Sequence, residues 1–264
     1  MTSPLLVALD VDGTLLTYDG VLSDATREAV GEVLAAGHHV VIATGRSVHA
    51  TEGVWRAVGQ RSGWAVASNG AVTVRIDESS EQGWEAHEVI TFDPTFVVQL
   101  LAEEFPGVRF AVEDLGSGFR TTTEFPPGEL SGRQSVVSLE ELCAAPVTRL
   151  VVRAPDLSDE EFDHVVGRLG LHDVTYAVGY TAWLDIAPTG TTKASALEAL
   201  RRELGVGPER TVAVGDGRND VEMLEWAARG VAMGHAPAEV RAVADEVTGT
   251  IDDDGALAVL RSLV

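Results

Sequence analysis

The chain has 264 residues, of which 45% are apolar and 23% are charged, an ordinary composition for one large globular domain or two modest ones. Acidic residues outnumber basic ones 41 to 19, and the formal net charge of -22 disfavours binding to nucleic acid or to anionic membrane surfaces. Cys143 is the single cysteine, so no internal disulfide can form, and the apolar run at residues 5–9 is too short for a signal peptide or a membrane span. We therefore expect a cytoplasmic protein with no nucleic-acid or membrane partner.

The first quarter of the chain alternates short apolar runs with helical patterns. Ser23 is placed to cap a helix that ends near Gly37, and residues 48–58 predict a second helix. The apolar runs lack the alternation of a half-exposed strand, which indicates strands that are covered on both faces, as in a parallel sheet. Three such strands are predicted, at residues 5–9, 39–43 and 64–67.

The last third of the chain repeats this alternation. It predicts a helix over residues 192–204, a strand at 211–214, a helix that stops at Gly230, a short strand, a helix begun by Pro237 and a terminal helix. Strands that alternate with helices imply an α/β fold with an open, doubly wound, mostly parallel (Rossmann-like) sheet and right-handed crossovers.

Residues 92–185 interrupt this alternation. Two strand-like segments, 108–113 and 118–123, follow one another without a helix between them, which does not fit a parallel sheet. We predict an inserted α/β domain with the order helix, strand, strand, helix, strand, helix, strand, strand around an antiparallel sheet. The core domain would then consist of residues 1–91 and 186–264.

Carboxylates follow two of the predicted core strands. Asp10 and Asp12 come directly after the first strand, and Asp216 follows the strand at 211–214. Buried carboxylates placed together need a cation, a shared proton or both, although Asp-Gly is also a common turn dipeptide. Because the carboxyl ends of parallel strands meet at one edge, Asp10 and Asp216 are candidate ligands of Mg²⁺, which prefers oxygen.

Other polar residues at the predicted strand and helix ends could hold a phosphate group. Thr44 ends the second strand, where its hydroxyl and the N–H groups of the next helix could bind phosphate oxygens. Lys193 is the only lysine among 19 basic residues, and a tight anionic site is a physical reason for a compact ammonium in place of a guanidinium. Asn219 and Asp220 begin a helix, where capping and a functional role are equally compatible with their position.

These groups together suit phosphoryl transfer through a covalent aspartyl phosphate. Asp10 would attack the phosphorus, and Asp12 would protonate the leaving oxygen and later take a proton from water. A metal ion and Lys193 would neutralise the charge of the phosphoryl group.

Four segments of the chain, in this order, resemble the haloacid dehalogenase superfamily and specifically the Cof-type phosphatases of its IIB branch. They are LDVDGTL at 9–15, ATGR at 43–46, the single Lys193, and GDGRNDVEM at 215–223. The resemblance covers nearly the whole chain. It implies a Mg²⁺ cofactor, a small phosphate ester as substrate, and an inserted cap domain that sets the choice of substrate.

The resemblance also implies a role for each site residue. Asp10 would be the nucleophile and a metal ligand, Asp12 the acid/base and a ligand through its backbone carbonyl, and Asp216 a further metal carboxylate. Substrate and phosphate would be bound by Thr44, Gly45, Arg46, Asn69, Lys193 and Asn219, with Asp220 supporting the lysine and the metal. Two positions depart from the usual family pattern, since His235 stands where asparagine is usual and Ala194 where glycine is common, and neither change removes a catalytic group. His235 is either a substrate contact or a neutral variant in a loop, and we favour the neutral interpretation.

Other functions share part of this pattern. A sugar phosphomutase would use the same nucleophile, metal and cap, and the sequence does not separate it from a phosphatase. Dehalogenases use the aspartate nucleophile without a metal, so Asp12 and Asp216 argue against that activity. A catalytically silent phosphate-binding regulatory module is disfavoured because all four segments are intact. Family analogy indicates sugar phosphates, or phosphorylated cofactors such as pyridoxal phosphate or flavin mononucleotide, as substrates; the sequence does not indicate an oligomeric state.

Overall fold

The chain divides into two compact units. The core unit consists of residues 1–46, 51–88 and 192–264, and the inserted unit consists of residues 47–50 and 89–191. The predicted boundaries of the insertion, at residues 92 and 185, both lie within the inserted unit. The structure is a computed structural model that describes residues 3–105, 107–155, 158, 174–179 and 183–264.

Strands and helices alternate along the first part of the core unit. The elements are β1 (Leu6–Leu9), α1 (Asp24–Ala35), β2 (His39–Ala43), α2 (Val48–Ala57), β3 (Ser62–Ala67), β4 (Val72–Asp77) and β5 (Trp84–Val89). Ser23 caps α1, because its hydroxyl accepts a hydrogen bond of 3.1 Å from the N–H of Thr26. Strands β4 and β5 extend the sheet beyond the three strands predicted in this part of the chain.

The inserted unit has a sheet of its own. Its elements are α3 (Thr95–Glu104), β6 (Arg109–Asp114), β7 (Gly118–Thr121), β8 (Arg133–Val136), α4 (Leu139–Leu142), β9 (Leu150–Arg153), β10 (Val174–Gly179) and β11 (Trp183–Pro188). The strand order is β10-β11-β9-β6-β7-β8, and the pairs are antiparallel except for the parallel pair β7–β8. Strand β8 is absent from the predicted order, because its sequence RQSV is mostly polar. The helix predicted between β9 and β10 lies outside the described residues.

The last part of the chain completes the core sheet. Its elements are α5 (Lys193–Glu203), β12 (Thr211–Gly215), α6 (Val221–Trp226), β13 (Arg229–Ala232), α7 (Ala238–Val243), β14 (Glu246–Val247) and α8 (Gly255–Arg261). The strand order in the described part of the chain is β14-β13-β12-β1-β2-β3-β4-β5. All pairs from β14 to β3 are parallel, and β4 is antiparallel to β3. The predicted mostly parallel α/β sheet is therefore confirmed, with β1 between β12 and β2.

Buried apolar side chains hold the helices against both sheets. In the core unit, strand residues such as Leu6 and Val41 pack with Leu197 of α5 and Leu224 of α6. In the inserted unit, α3 and α4 cover one face of the sheet. Val98 and Leu101 of α3 and Leu142 of α4 pack with the strand residues Phe110 and Leu150. Each such side chain contributes on the order of 1.5–3 kcal/mol when fully buried. Among the described residues, no helix combines the length and apolar character needed to cross a membrane.

The predicted helix stop at Gly230 is wrong. Helix α6 ends at Trp226, and Gly230 lies inside β13. A Cβ atom at Gly230 would lie 2.2 Å from the carbonyl oxygen of Leu224, so only glycine allows this strand to pass so close to the end of α6. The glycine therefore marks a close backbone approach and not a helix terminus.

We expect Gly230→Ala to lower the free energy of unfolding by about 2–3 kcal/mol, because the added methyl group meets backbone that cannot move aside. The matched control is Gly31→Ala in α1, where a Cβ atom would meet nothing within 4 Å. That change should raise the free energy of unfolding by about 0.5–1 kcal/mol, because alanine is the better helix former. Urea denaturation measures both, and a Gly230→Ala protein as stable as the parent would contradict the close approach.

Candidate active site

The carboxyl ends of the central core strands bring polar residues to one edge of the sheet. The N–H of Asp10 donates to the carbonyl of Val214 at 3.0 Å, which continues the β1–β12 pairing by one residue. The N–H of Thr44 donates to the carbonyl of Val66 at 2.9 Å and continues the β2–β3 pairing in the same way. Asp216 follows β12 directly. Three of the predicted site residues therefore end neighbouring strands.

Lys193 is the first residue of α5, and its ammonium group is buried between two carboxylates. Its Nζ donates to Oδ1 of Asp10 and to Oδ1 of Asp220, at 2.6 Å in each case. The lysine is 1% exposed. Thr192 caps the helix, since its hydroxyl accepts from the N–H of Ser195 at 3.2 Å. A cation at a helix N-terminus is unfavourable for the helix dipole, and the two carboxylates offset this cost.

A close backbone contact fixes the start of α5. Ser68 and Asn69 have φ angles of 50° and 53°, and Gly70 follows with φ of 102°. A Cβ atom at Gly70 would lie 2.2 Å from the carbonyl oxygen of Thr192, so the turn after β3 can touch the helix start only because residue 70 is glycine. The position of Lys193 thus depends on this turn.

The third carboxylate, Asp220, accepts three hydrogen bonds. Its Oδ1 binds Lys193, and its Oδ2 accepts from the N–H groups of Asp216 at 3.0 Å and Gly217 at 2.8 Å. The Asp220 side chain therefore links Lys193, through hydrogen bonds, to the loop that contains Asp216.

The buried cluster contains three carboxyl groups and one amino group. Burial raises the pKa of the Asp10 carboxyl well above its ordinary value, and repulsion from Asp220 adds to the rise. Burial also raises the pKa of Asp216, against the hydrogen bond from Tyr18, which lowers it. Burial alone would lower the pKa of Lys193, but attraction to Asp10 and Asp220 outweighs it and raises that pKa. A charged ammonium is therefore held among three carboxylates.

These carboxylates fit a divalent cation. One ligand atom from each of Asp10, Asp216 and Asp220 can be chosen so that all three lie within 4.8 Å of one another. The donors are all oxygen atoms, the type that Mg²⁺ prefers. Three buried carboxyl groups beside one lysine need a further cation, a shared proton or both, and a divalent cation would meet this need.

A chain of hydrogen bonds links the polar residues after β2, β3 and β12. The hydroxyl of Thr44 accepts from the N–H of Arg46 at 3.1 Å, and the carbonyl of Thr44 accepts from the N–H of Asn69 at 3.0 Å. The side-chain amide of Asn219 donates to Oδ1 of Asn69 at 2.9 Å. Gly45 lies against the Asn69 amide group. The predicted phosphate-binding residues of these loops are therefore brought together.

Asp12 lies apart from the buried carboxylate cluster and pairs with Arg46. The guanidinium Nε donates to Oδ2 of Asp12 at 2.9 Å, and a terminal nitrogen donates to Oδ1. Both side chains are partly exposed, at 44% for Asp12 and 29% for Arg46. The hydrogen bond that Arg46 donates to Asp12 is the main cause of a raised pKa for Arg46. In this structure the guanidinium therefore occupies both oxygens of the predicted acid/base.

Three further side chains contact Asp216 and were not among the predicted site residues. Tyr18 donates to Oδ2 of Asp216 at 2.6 Å, and Thr14 donates to Oδ1 at 3.1 Å. The Nε2 atom of His235 lies 3.4 Å from Oδ2 of the same carboxylate. Tyr18 belongs to a loop without a sequence pattern, so no signal pointed to it. For His235 the sequence did contain a signal, namely its departure from the family pattern, although we expected that change to be neutral.

Comparison with known proteins identifies the family. The model of the haloacid dehalogenase-like hydrolases matches residues 7–260. The chain is 29% identical to the 5-amino-6-(5-phospho-D-ribitylamino)uracil phosphatase YitU of Bacillus subtilis, over 98% of this chain and 97% of that protein. It is 30% identical to the pyridoxal phosphate phosphatase YbhA of Escherichia coli, over 92% of this chain and 93% of that protein.

A solved structure supports the same assignment. BT1666 of Bacteroides thetaiotaomicron, a phosphatase of this superfamily, aligns with a TM-score of 0.80 and 29% identity, over 98% of this chain and 95% of that one. The resemblance carried by the four sequence segments is thereby confirmed, and the chain belongs to the haloacid dehalogenase-like hydrolases.

Proposed function

We propose that the protein is a magnesium-dependent phosphatase that hydrolyses a small phosphate monoester through an aspartyl phosphate on Asp10. The observation that carries this proposal is the buried Asp10 carboxylate at the end of β1, bonded to Lys193 and close to Asp216. An exposed turn aspartate would have none of these neighbours. Phosphoryl transfer needs a fixed nucleophile and fixed positive charge around the transferred group.

The cation would be held by the carboxylates of Asp10 and Asp216 and by the backbone carbonyl of Asp12. When bound, Mg²⁺ neutralises charge on the phosphoryl oxygens. Lys193 holds Oδ1 of Asp10, which fixes the rotation of the carboxylate, and its ammonium would also contact the bound phosphate. Thr44 and Asn69, which are linked through the backbone, would bind the remaining phosphate oxygens.

The proposed reaction has two steps that use the same acid/base. Asp10 attacks phosphorus, the bond to the leaving oxygen breaks, and Asp12 donates a proton to that oxygen. Asp12 then takes a proton from a water molecule, which attacks phosphorus, and Asp10 and inorganic phosphate are released. Arg46 must leave Asp12 for this role, and a phosphate dianion is a strong competitor for a guanidinium.

We further propose that the inserted unit is a cap that selects the substrate. YitU and YbhA are named as phosphatases of a phosphorylated ribitylaminouracil and of pyridoxal phosphate, which are both small phosphate monoesters. A sugar phosphate or a phosphorylated cofactor is therefore the proposed substrate class.

Asp10→Asn should abolish magnesium-dependent hydrolysis of p-nitrophenyl phosphate, because an amide oxygen cannot form the phosphoenzyme. The matched control is Asp19→Asn, which changes an exposed aspartate in the loop after β1. That variant should keep the parent's kcat and KM to within about twofold, since exposed substitutions have small effects. Steady-state assays with and without EDTA measure both variants. Turnover by a folded Asp10→Asn protein would contradict the proposed nucleophile.

Exchanging residues 92–185 for the matching segment of YbhA should shift the substrate preference toward pyridoxal phosphate, with Asp10, Lys193 and Asp216 unchanged. A panel of phosphate esters, assayed for kcat/KM with parent and chimera, measures the shift. The parent assayed on the same panel also identifies its preferred ester. A folded, active chimera with the parent's profile would contradict selection by the inserted unit.

A further inference from the structure

Three side chains with donor groups contact the carboxylate of Asp216. Thr14 donates to Oδ1, Tyr18 donates to Oδ2, and the His235 ring nitrogen lies 3.4 Å from Oδ2. A carboxylate offers about four lone-pair positions, two on each oxygen. The two groups on Oδ2 can occupy both of its positions, whereas Thr14 occupies only one on Oδ1.

The orientation of the His235 ring places a donor on Oδ2. Its Nδ1 accepts a hydrogen bond from the N–H of Ile251 at 3.2 Å, so Nε2 is the nitrogen that carries the proton in the neutral ring. Nε2 is buried and has no hydrogen-bond partner among the described residues. Shortening its distance to Oδ2 by about 0.5 Å would give an ordinary hydrogen bond.

Tyr18 and His235 also contact each other. Their rings meet edge to face, with centroids 6.0 Å apart. Tyr18 is 69% exposed, so its ring adds little to the buried core, whereas its hydroxyl reaches the buried carboxylate of Asp216. A role in orienting Asp216 explains this exposed aromatic residue better than a role in packing.

We propose that Tyr18 and His235 hold Oδ2 of Asp216 so that the carboxylate binds a cation through Oδ1 alone, which makes the site selective for Mg²⁺ over Ca²⁺. Mg²⁺ requires six near-octahedral ligands and accepts carboxylates through one oxygen. Ca²⁺ takes 6–8 ligands and often binds both oxygens of a carboxylate. Donors on Oδ2 therefore prevent the carboxylate from binding a cation through both oxygens, which is the mode that favours Ca²⁺. This inference rests on the metal site of the proposed function and goes beyond it to the choice of ion.

The test is the ratio of the Ca²⁺ and Mg²⁺ dissociation constants, measured by isothermal titration calorimetry on EDTA-stripped protein without substrate. Tyr18→Phe should lower the ratio Kd(Ca)/Kd(Mg) by about tenfold, the lower end of the effect of groups that support a metal ligand. His235→Ala should lower it by less, because its nitrogen is farther from Oδ2. The double variant should lower it further than either single change.

Thr17→Val is the matched control, because its hydroxyl binds Asp19 and Val21 within the same loop and does not bind Asp216. It should leave the ratio within about twofold of the parent, as expected for a residue outside the ligand shell. A thermal unfolding scan in EDTA shows whether each variant folds. A similar loss of selectivity in Thr17→Val would assign the effect to the loop and overturn the role of Tyr18.

Two further results would overturn the inference. One is an unchanged ratio in Tyr18→Phe and in the double variant. The other is tighter Mg²⁺ binding by Tyr18→Phe, which would mean that the cation needs Oδ2 and that the tyrosine competes with it. Either result leaves the proposed phosphatase activity intact. If the parent protein binds neither Mg²⁺ nor Ca²⁺, this inference is overturned together with the metal requirement of the proposed function.

Discussion

The ammonium group of Lys193, buried between Asp10 and Asp220, is the interaction on which the rest of the site depends. A buried charge that loses its partner typically costs about 3–5 kcal/mol, so the three side chains are stable only as a set. Thr192 caps the helix that carries the lysine, and Gly70 allows the neighbouring turn to approach it. Much of the local structure around α5 thus serves to place the ammonium group of Lys193 beside the carboxylate of Asp10.

This arrangement also explains how an acidic protein can bind an anionic substrate. The formal net charge of -22 opposes the approach of phosphate esters at long range. Lys193 is largely neutralised by its carboxylates, so it cannot attract phosphate alone. The negative charge that remains on the cluster favours a divalent cation, and that cation together with Arg46 would supply the positive charge that the substrate meets. In this account the same carboxylates bind the metal and provide the nucleophile.

The sequence predicted the core fold and singled out candidate site residues that the structure brings together, because both depend on local patterns. Wholly apolar runs marked β1 and β2 as buried strands, and Ser23 marked the start of α1. Asp10 and Asp216 follow neighbouring parallel strands, whose carboxyl ends meet at one edge, so their proximity was foreseeable. Lys193 begins a helix and was singled out only as the single lysine of the chain.

Other features depend on side-chain contacts that no local pattern encodes. The hydrogen bond of Tyr18 to Asp216, the approach of His235 to the same carboxylate, and the pairing of Asp12 with Arg46 follow from loop conformations set by the folded structure. Strand β8 has a polar sequence and forms by pairing with β7. Gly230 matched a helix-stop signal, but it is required by the close approach of β13 to α6.

The central claim is that the Asp10 carboxylate becomes phosphorylated during turnover. Rapid quenching with borohydride reduces an aspartyl phosphate to homoserine, and peptide mass spectrometry then locates the modified residue. We expect homoserine at position 10, formed only when both substrate and Mg²⁺ are present. Homoserine at another aspartate, or no reduced residue in an enzyme that accumulates phosphoenzyme under the same conditions, would contradict the account.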